Sequence, residues 1–556
     1  DDLMSRLSDV EIHRISGAGH LAVLETSMAT FVESVVRNST QVISASSDDD
    51  QACETLWARI DSSTRPEALA ISDAAAKTSV TFSEFESRVA SFAQSLSDQG
   101  VKLGDRIAVL VPPSIDLIAV VYACWRIGAV AVIADRGLGL RGLKSAIRAS
   151  RVRHVIGPMK AVAAARLLRW APNASIIRLS ALIRSPRVAK LEFVSAPEPG
   201  ADDPAAVLFT SGATGPAKGV RYTHRQLYAQ RDALQKTYNI IPTDTFVAAF
   251  APFALYGPAL GIATGLADMD VTSPGTLTAA ALDDACRRVG ATMVFASPAA
   301  LANVVRTASA DVVHLGKVRL VMSAGAPVPI KTLQEISRLC PEAELHTPYG
   351  MTEVLPVADV SLTDLIRIGT GQGVCVGKPV SGCDVRIDDQ TSELLVSAPW
   401  MSAGYDSLWL TQHNARPVVS ADGYSVTWHR TGDVGHIDSE GNVWIEGRLV
   451  HVIHTSHGPI APVPLEIAVE ALPNVVRVAA VGIGPVDVQQ LVIVVETTNS
   501  NDGPAEAELT GAVRTALAPL TISSVWATKK LPVDIRHNSK IDRTAVSKKM
   551  SQILSG

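Results

Sequence analysis

At 556 residues the chain is too long for one compact core, so its length predicts two or more domains. Its 50 lysines and arginines stand against 55 aspartates and glutamates, and this net charge of −5 gives no overall basic field, so no nucleic-acid partner is expected. The six cysteines are scattered without a CxxC pair, which predicts reduced thiols in a cytoplasmic protein.

Residues 1–36 differ in character from the chain that follows. Acidic residues at the start and the lack of an apolar run predict no secretory signal. The segment then reads as a strand, a Gly-x-Gly-His turn ending at His20, and a helix beginning near Glu25. It resembles the last βα unit of the α/β-hydrolases, and that resemblance implies a triad role for His20, with a helix-capping turn as the equal alternative. The chain contains no G-x-S-x-G motif, so we expect only a C-terminal remnant of a fused hydrolase.

The rest of the chain has a linker and two predicted structured regions. Residues 37–51 are polar, rich in Ser and Asp and without period, which predicts the linker. Helical periods then alternate with short apolar runs as far as Arg448, as in parallel sheets covered by helices. The helical periods are 82–99, 279–289 and 331–339, and the strand-length runs are 106–111, 205–210, 292–296 and 319–323. We predict a large α/β domain over 52–448 and a small α+β domain over 449–556, with strands at 476–483 and 490–496.

One apolar stretch in the first region has nearly the length of a membrane span. It runs from Leu117 to Ala134 and is interrupted by Arg126 and Gly128. A buried helix followed by a buried strand accounts for this stretch better than a transmembrane helix does.

The strongest chemical signal is a loop that directly follows the apolar run 205–209. It reads Thr210-Ser-Gly-Ala-Thr-Gly-Pro-Ala-Lys-Gly219. Hydroxyls, exposed backbone N–H groups and one lysine are the groups that hold a triphosphate, although a Gly/Thr-rich surface loop is the alternative. Two residues separate Gly215 from Lys218, so the loop is not a Walker motif. A second glycine cluster at 369–373 lacks the third glycine of a dinucleotide motif, and no dinucleotide site is expected there.

This loop is similar to the signature loop of the acyl-adenylating superfamily of acyl-CoA synthetases, luciferases and nonribosomal adenylation domains. Four more segments resemble superfamily signatures in the right order, and the resemblance covers roughly residues 55–550. They are Tyr349-Gly-Met-Thr-Glu353 (YGxTE), Thr431-Gly-Asp433 (TGD), Gly447-Arg448 (GR) and the mobile-lysine segment Asn538-Ser-Lys-Ile-Asp542. The resemblance implies a large adenylation domain, a small mobile C-terminal domain, and ATP and Mg²⁺ as cofactors.

The resemblance also implies a role for individual residues. Tyr349 would stack on adenine, Thr352 contact the α-phosphate and Glu353 hold Mg²⁺, and these residue types suit those groups. Asp433 would accept from the ribose hydroxyls, and Lys540 would bridge the substrate carboxylate and the α-phosphate. The implied catalytic residues are Lys540, Thr352, Glu353 and Lys218, the implied metal ligands are Glu353 and Thr210, and the implied acyl pocket is Phe253, Tyr256, Ser297 and Gly350. The other implied nucleotide contacts are Thr210, Ser211, Gly212, Ala213, Thr214, Gly215, Lys218, Ser323, Ala324, Gly325, Ala326, Thr347, Pro348, Gly350, Met351 and Arg448. A solvated surface residue is the alternative for any one of these taken alone.

The stretches between the signatures resemble the OleC-type β-lactone synthetases of olefin biosynthesis. The similar stretches are 253–261, 268–270, 323–329, 346–349, 354–357 and 531–538. The resemblance implies adenylation of a long-chain 2-alkyl-3-hydroxy acid, followed by attack of its own hydroxyl to give a β-lactone, AMP and pyrophosphate. It further implies a hydrolase-fold decarboxylase as a fused or associated partner, and a larger olefin-producing assembly as the setting.

Two departures from the family patterns bear on this interpretation. Where most superfamily members carry a charged hinge residue and a lysine after the GR pair, this chain has Val450 and His454. An apolar hinge residue argues against the large rotation that thioester formation needs. Arg136 stands where OleC-type sequences usually have proline, and nothing in the sequence explains it.

Two alternative functions stay open. One is a fatty acyl-CoA or acyl-carrier ligase that also works through an acyl-AMP. The other is a non-catalytic scaffold subunit, although the joint presence of Lys218, Glu353, Asp433 and Lys540 argues against lost chemistry.

Overall fold

The structure is a computed structural model that describes residues 54–134, 138–210, 217–309, 312, 314–369, 371–419, 425–497, 502–532 and 541–554. One compact unit comprises Cys53–Pro417 and Thr427–Gly556. A second unit, Asp1–Ala52 with Val418–Val426, lies almost wholly outside the described residues. The expected hydrolase remnant with His20, the linker 37–51 and Arg136 also lie outside them and stay predictions.

The first part of the unit alternates strands and helices. Its strands are β1 (Leu69–Asp73), β2 (Thr78–Thr81), β3 (Arg106–Val109), β4 (Val130–Ala134), β5 (His154–Gly157), β6 (Ser175–Arg178), β7 (Pro204–Thr210) and β8 (Lys218–Thr223). Its helices are α1 (Phe82–Asp98), α2 (Ile115–Arg126), α3 (Gly139–Ala149), α4 (Met159–Leu167) and α5 (Leu179–Ile183). A reciprocal capping box between Thr81 and Glu84 begins α1, since each side chain accepts from the backbone N–H of the other.

The next part continues the alternation. Its strands are β9 (Thr245–Ala248), β10 (Ala263–Leu266), β11 (Met293–Phe295), β12 (Leu320–Met322) and β13 (Glu344–His346). Its helices are α6 (His224–Thr237), α7 (Tyr256–Leu260), α8 (Ala279–Val289), α9 (Pro298–Thr307) and α10 (Ile330–Leu339). All seven elements predicted between 82 and 339 are confirmed, with ends that differ by at most two residues. The apolar stretch 117–134 is confirmed as the buried α2 followed by β4.

Two largely parallel sheets make up this region. The seven-stranded sheet has the order β13-β12-β11-β9-β10-β1-β2, and the six-stranded sheet has the order β6-β5-β3-β4-β7-β8. Only the pairings of β2 and β8 in these sheets are antiparallel. Helices α1 and α2 lie between the two sheets in one continuous apolar core, while α8, α9 and α10 cover the far face of the larger sheet. Helices α3 and α4 cover the far face of the smaller one.

Residues 349–448 form a different kind of sheet. The strands are β14 (Tyr349–Met351), β15 (Val354–Asp359), β16 (Val374–Pro379), β17 (Asp384–Ile387), β18 (Glu393–Ser397), β19 (Ala415–Val419), β20 (Ser425–Ile437) and β21 (Val443–Arg448), with helices α11 (Leu362–Ile368) and α12 (Leu408–Asn414). Along β14-β15-β16-β21-β20-β18-β17 every pairing is antiparallel. The predicted parallel alternation therefore stops near His346, because short turns such as 352–353 and 438–442 join neighbouring strands directly and leave no helical crossover.

A strap from this region closes one edge of the six-stranded sheet. Residues 403–406, the strap, pair with β8 through N–H···O bonds of 2.8 to 2.9 Å at Ala403, Arg221 and Asp406. The Asp406 carboxylate also forms a bidentate ion pair with Arg106 of β3, with both N···O distances 2.8 Å. The opposite edge strand of this sheet is β6.

The last residues form a smaller α+β arrangement. The strands are β22 (Ile453–Thr455), β23 (Gly458–Ile460), β24 (Val475–Ile483), β25 (Gln490–Thr497), β26 (Gly503–Pro504) and β27 (Ser524–Thr528), and the helices are α13 (Pro462–Glu470), α14 (Ala507–Ala516) and α15 (Arg543–Leu554). The sheet order is β24-β25-β27-β26, with α13 and α14 packed on one face and α15 on the other. The two strands predicted here are confirmed as β24 and β25. Across the part of the chain that the structure describes, every helix is too short or too polar to cross a membrane.

Candidate active site

Most of the predicted site residues lie at the carboxyl ends of the parallel strands. The predicted phosphate-binding loop 210–219 begins at the end of β7, residues 323–326 follow β12, and residues 347–348 follow β13. Ser297 follows β11, and Phe253 lies in a short 3-10 helix after β9. Strands that run parallel end at the same edge, which is where open α/β sheets bind ligands. Among the predicted residues, 211–215, the side chain of Thr210 and Lys540 lie outside the described part of the chain.

A tight hairpin presents Thr352 and Glu353. These two residues form the turn between β14 and β15, where Met351 pairs with Val354. The Tyr222 hydroxyl donates to the carbonyl oxygen of Thr352 at 2.5 Å, and Ser402 N–H donates to that of Glu353 at 2.8 Å. The turn is therefore held from two sides through its backbone.

The hairpin also explains the predicted glycine beside it. A Cβ on Gly350 would lie 2.6 Å from Cδ1 of Leu355 and 2.9 Å from the carbonyl oxygen of Val354. Only glycine fits this close approach of the two strands. The structure thus gives Gly350 a packing role.

Lys218 and Glu353 lie around one buried tyrosine. The Tyr405 hydroxyl donates to Oε1 of Glu353 at 2.5 Å, and Nζ of Lys218 lies 5.4 Å from the centre of the Tyr405 ring. The imidazole of His429 lies 6.4 Å from the same ring, measured between ring centres. We call these four residues the Tyr405 cluster. An ammonium group, a carboxylate and an imidazole are groups that bind phosphate oxygens or a hard cation.

The protonation states in the Tyr405 cluster follow from burial. Burial lowers the pKa of His429 and the charge of Lys218 lowers it further, while Glu353 opposes the shift, so the imidazole is neutral at neutral pH. Burial raises the pKa of Tyr405, and the Glu353 carboxylate raises it again, which keeps the phenol protonated as a donor. The cluster therefore presents one cation and one fixed anion.

Sequence reasoning missed both Tyr405 and His429. His429 lies four residues before Asp433 in β20, but the strand is irregular between them, because Gly432 has φ +72° and the register against β18 shifts between Arg430 and Val434. Regular alternation along a strand therefore gives no signal for His429. Tyr405 lies on the strap, whose pairing with β8 has no local signature.

A second group of predicted residues meets on three strands of the antiparallel sheet. The Tyr349 hydroxyl donates to Oδ2 of Asp433 at 2.5 Å, and Nε of Arg448 lies 3.1 Å from Oδ1. Asp433 and Arg448 are direct partners in the register of β20 and β21, and Arg448 also donates to the carbonyl oxygen of Thr431 at 3.0 Å. Burial raises the pKa of Tyr349, and the Asp433 charge adds to the shift, so the phenol stays a donor. The structure thus joins an aromatic ring, a carboxylate and a guanidinium group.

The segment after β12 contains an unpaired polar group. The Ser323 hydroxyl is buried, and its oxygen has no hydrogen-bond partner among the described residues. Its backbone N–H donates to the carbonyl oxygen of His346 at 3.0 Å, which fixes Ser323 beside the 347–348 turn. A buried hydroxyl without a partner is costly unless a ligand completes it. This observation fits a nucleotide bound along 323–326.

A histidine–aspartate pair supports the 347–348 turn. Nδ1 of His346 lies 2.5 Å from Oδ2 of Asp359, and the Tyr238 hydroxyl donates to Oδ1 at 3.1 Å. Burial alone would lower the pKa of His346, but the hydrogen bond and charge of Asp359, with Glu344, outweigh it and raise the pKa. The pair anchors the base of the segment that leads to Tyr349.

Two of the four residues of the predicted acyl pocket are aromatic. The Phe253 ring stacks on Phe295, with ring centres 4.0 Å apart and planes 9° from parallel. Tyr256 lies 6.2 Å from Phe253 between ring centres, and its hydroxyl donates to Oε1 of Gln230. The Ser297 hydroxyl accepts from Ala300 N–H at 3.3 Å and caps α9. Phe253 and Tyr256 therefore offer apolar surface for an alkyl chain, and Ser297 has a structural bond of its own.

Comparisons with known proteins agree with this geometry. The sequence pattern of the family described as AMP-binding enzyme matches residues 59–406. A protein of Xanthomonas campestris named olefin beta-lactone synthetase is 36% identical over 507 residues, which cover 84% of this chain and 90% of that protein. One of the same name from Stenotrophomonas maltophilia is 34% identical over 509 residues, covering 84% and 91%. The crystal structure of ATP-bound MatB from Rhodopseudomonas palustris shares the fold, with a TM-score of 0.73, 22% identity, and coverage of 90% of this chain and 99% of that one.

Proposed function

Because the chain belongs to the AMP-binding enzyme family, we propose that it activates a long-chain 2-alkyl-3-hydroxy acid with ATP and closes the acyl-AMP to a β-lactone. The observation that carries the proposal is the 36% identity with a protein named olefin beta-lactone synthetase over 90% of that protein's length. The alignment is long enough to span both the sheets that hold the site and the smaller α+β arrangement.

In the first half-reaction the acid's carboxylate oxygen attacks the α-phosphorus of ATP, and pyrophosphate leaves. The loop 210–219 and Lys218 hold the phosphate chain, and Lys540 neutralises charge that develops on the α-phosphate. Glu353, with its carboxylate fixed by Tyr405, is the proposed ligand of Mg²⁺, which when bound neutralises phosphate charge. Tyr349 and Asp433 hold the nucleoside, with Arg448 beside the aspartate.

In the second half-reaction the β-hydroxyl oxygen attacks the acyl carbon of the same molecule. The bond from that carbon to the AMP oxygen breaks, the hydroxyl proton is lost, and a four-membered ring closes. Holding both groups in a near-attack geometry supplies on the order of 7–11 kcal/mol toward the barrier. The aromatic surface at Phe253 and Tyr256 fits this role because it restrains the alkyl chain without competing for the hydroxyl.

The partner and domain assignments are part of the proposal. Residues 52–448 would form the adenylation domain and 449–556 the smaller domain carrying Lys540. Residues 1–36 would be the end of a fused hydrolase-fold decarboxylase, which takes the lactone within a larger olefin-producing assembly. A partner that removes the lactone is chemically apt because the strained ring is reactive.

The experiment that tests the function compares two acids of equal chain length, one with and one without the 3-hydroxyl group. With ATP and Mg²⁺ and no CoA, the hydroxy acid should give AMP, pyrophosphate and a product lighter than the acid by one water. The deoxy acid should stop after about one equivalent of AMP-ester per enzyme, because it has no internal nucleophile. Mass spectrometry identifies the products, and the burst amplitude of pyrophosphate release gives the equivalents formed per enzyme.

The closest alternative is an acyl-CoA or acyl-carrier ligase. It would use both acids and would need CoA for repeated turnover. A CoA thioester as the main product would reject the lactone proposal and leave the adenylation proposal standing. No pyrophosphate release from either acid would instead support a scaffold subunit. Val450 lies in the turn after β21 and is 70% exposed. An apolar side chain at this position offers no ion pair that could fix a second domain orientation, which favours the lactone synthetase over the CoA ligase.

A further inference from the structure

Basic residues are strongly segregated along this chain. Residues 136–190 contain thirteen lysines and arginines and no aspartate or glutamate. The remaining sequence therefore holds 37 basic residues against all 55 acidic ones. A protein with a net charge of −5 thus concentrates positive charge in one segment, which forms α3, β5, α4, β6 and α5 at one side of the six-stranded sheet.

The positive charges are concentrated where α4 ends beside the edge strand β6. A cavity of about 550 Å³ between them is lined by Arg166, Arg169 and Arg178. Nε of Arg148, in the last turn of α3, donates to the carbonyl oxygen of Arg169 at 3.1 Å and brings a fourth guanidinium group to the same place. We call these four residues together with Leu167 the arginine edge.

The arginine edge has no counter-charge of its own. Its four arginines are all exposed, and within the described ranges none of them forms an ion pair. Of the other cations of residues 138–190, only Arg153 pairs with a carboxylate in that part of the chain, that of Asp105 at 3.0 Å. A surface that leaves this many guanidinium groups unpaired is complementary to a dense array of anions.

Apolar side chains project from the same surface. Leu167, between Arg166 and Arg169 in sequence, is 83% exposed, the highest fraction among the large apolar residues described. Its neighbour Leu168 is 40% exposed, and Ile183, in α5 beyond β6, is 55% exposed. Cations interleaved with exposed aliphatic side chains are the pattern of a surface that lies in a membrane interface.

The arginine edge is separate from the proposed active site. Helix α4 connects the carboxyl end of β5 to the amino end of β6, so its last turn lies at the end of the sheet opposite the predicted phosphate-binding loop. Nucleic acid fits the edge poorly, because single strands need aromatic rings for stacking. Trp170 is the one Phe, Tyr or Trp of residues 136–190, and it is 5% exposed.

From the unpaired arginines and the projecting leucines we infer that the arginine edge docks this protein on an anionic phospholipid bilayer. Phosphate groups of the lipids bind the guanidinium groups, and Leu167 enters the acyl boundary. The contact is peripheral, in keeping with described helices that are too short or too polar to span a bilayer. The inference does not depend on the proposed reaction.

Flotation of the full chain with lipid vesicles tests the inference. The protein should float with vesicles of phosphatidylcholine plus phosphatidylglycerol, and not with phosphatidylcholine alone. About 1 M NaCl, where the screening length is about 3 Å, should release most of it. The double variant Arg166→Glu/Arg169→Glu should lower the bound fraction about tenfold or more, since each cation near an anionic surface adds to binding.

Matched variants separate docking from general charge and from misfolding. The double variant Arg514→Glu/Lys530→Glu makes the same charge change at exposed positions elsewhere and should bind within about twofold of wild type. Leu167→Ser keeps every charge and should weaken retention at intermediate salt. Adenylation of a short, water-soluble acid and the thermal midpoint should stay unchanged in all three variants.

Three results would overturn the inference. They are absence of wild-type binding to the anionic vesicles, equal binding by the arginine-edge variant, and equal loss in the Arg514→Glu/Lys530→Glu control. Wild-type binding to an acidic polypeptide such as poly-glutamate, without vesicle binding, would assign the arginine edge to an acidic protein partner instead.

Discussion

The phenol oxygen of Tyr405 lies 2.5 Å from Oε1 of Glu353 and donates its proton to that carboxylate. If Glu353 binds Mg²⁺, then Tyr405→Phe removes the bond that orients a metal ligand. Such substitutions typically cost about 10- to 100-fold in metal affinity or activity. We expect the Mg²⁺ concentration for half-maximal pyrophosphate release to rise about tenfold, with the rate at saturating Mg²⁺ nearly restored.

The control for this variant is Tyr238→Phe. Tyr238 also donates to a carboxylate, that of Asp359 at 3.1 Å, but belongs to a different group of residues. Its Mg²⁺ dependence should match wild type. Glu353→Gln should show a larger shift than Tyr405→Phe, and an unchanged Mg²⁺ dependence in Glu353→Gln would rule out a metal-binding role.

Lys540→Ala should abolish most acyl-AMP formation and leave ATP binding nearly intact, because the lysine acts on charge that develops during transfer. Loss of one such contact costs about 3–4 kcal/mol, or roughly 10² to 10³ in rate. Lys548→Ala removes an exposed lysine of α15 and is the matched control. Pyrophosphate release by Lys540→Ala within about threefold of wild type would contradict the role.

Deletion of residues 1–45 should leave adenylation unchanged. Adenylation uses no Ser-His-Asp unit, so we expect His20 to take no part in this reaction. Pyrophosphate release should be compared between the deleted and full chains, with circular dichroism as the check on folding. A loss of more than about tenfold in folded protein would assign the segment to the synthetase.

His224 should make the fold sensitive to acid. Its side chain is completely buried, and neither ring nitrogen has a partner among the described residues. Burial lowers its pKa to about 4, opposed by Asp203. The pKa of histidine in the unfolded chain is about 6.5. At pH values between the unfolded-state and folded-state pKa, only the unfolded chain binds the proton, so the free energy of unfolding falls as the pH falls. The loss should reach about 3 kcal/mol near pH 4.

The variant that checks this is His224→Leu, measured by urea unfolding across that pH range. It should flatten the dependence, although its stability at pH 7 need not match wild type. His413→Leu, at an exposed position, should keep the wild-type slope. The same acid sensitivity in His224→Leu and wild type would exclude His224 as its source.

The elements with clear local signals could be predicted from the sequence. Helix α8 matches its predicted bounds because Thr278 caps its start and Gly290, with φ +63°, ends it in the left-handed region. Helix α1 begins at its predicted residue because the Thr81 capping box fixes that end. Both signals lie within a few residues of the boundary they set.

The contacts within the site could not be predicted in the same way. The resemblance implied Tyr349, Asp433 and Arg448 as nucleotide contacts. Their bonds to one another depend on the register between β20 and β21 and on the position of the β14–β15 hairpin, which is distant in sequence. The role of Tyr405 depends on the strap, which pairs with a strand about 185 residues earlier. Long-range pairing of this kind has no signature in a window of neighbouring residues.

The strap also determines how the protein unfolds. Its ion pair to Arg106 joins positions 300 residues apart, and its backbone bonds cover the edge of β8 while Tyr405 holds Glu353. Unfolding of the antiparallel sheet would therefore expose the edge of β8 and release the Glu353 carboxylate from Tyr405 in one event, which is the condition for a cooperative transition. Residues 54–448 should melt as one foldon, and a cut within 403–406 should weaken both sheets together.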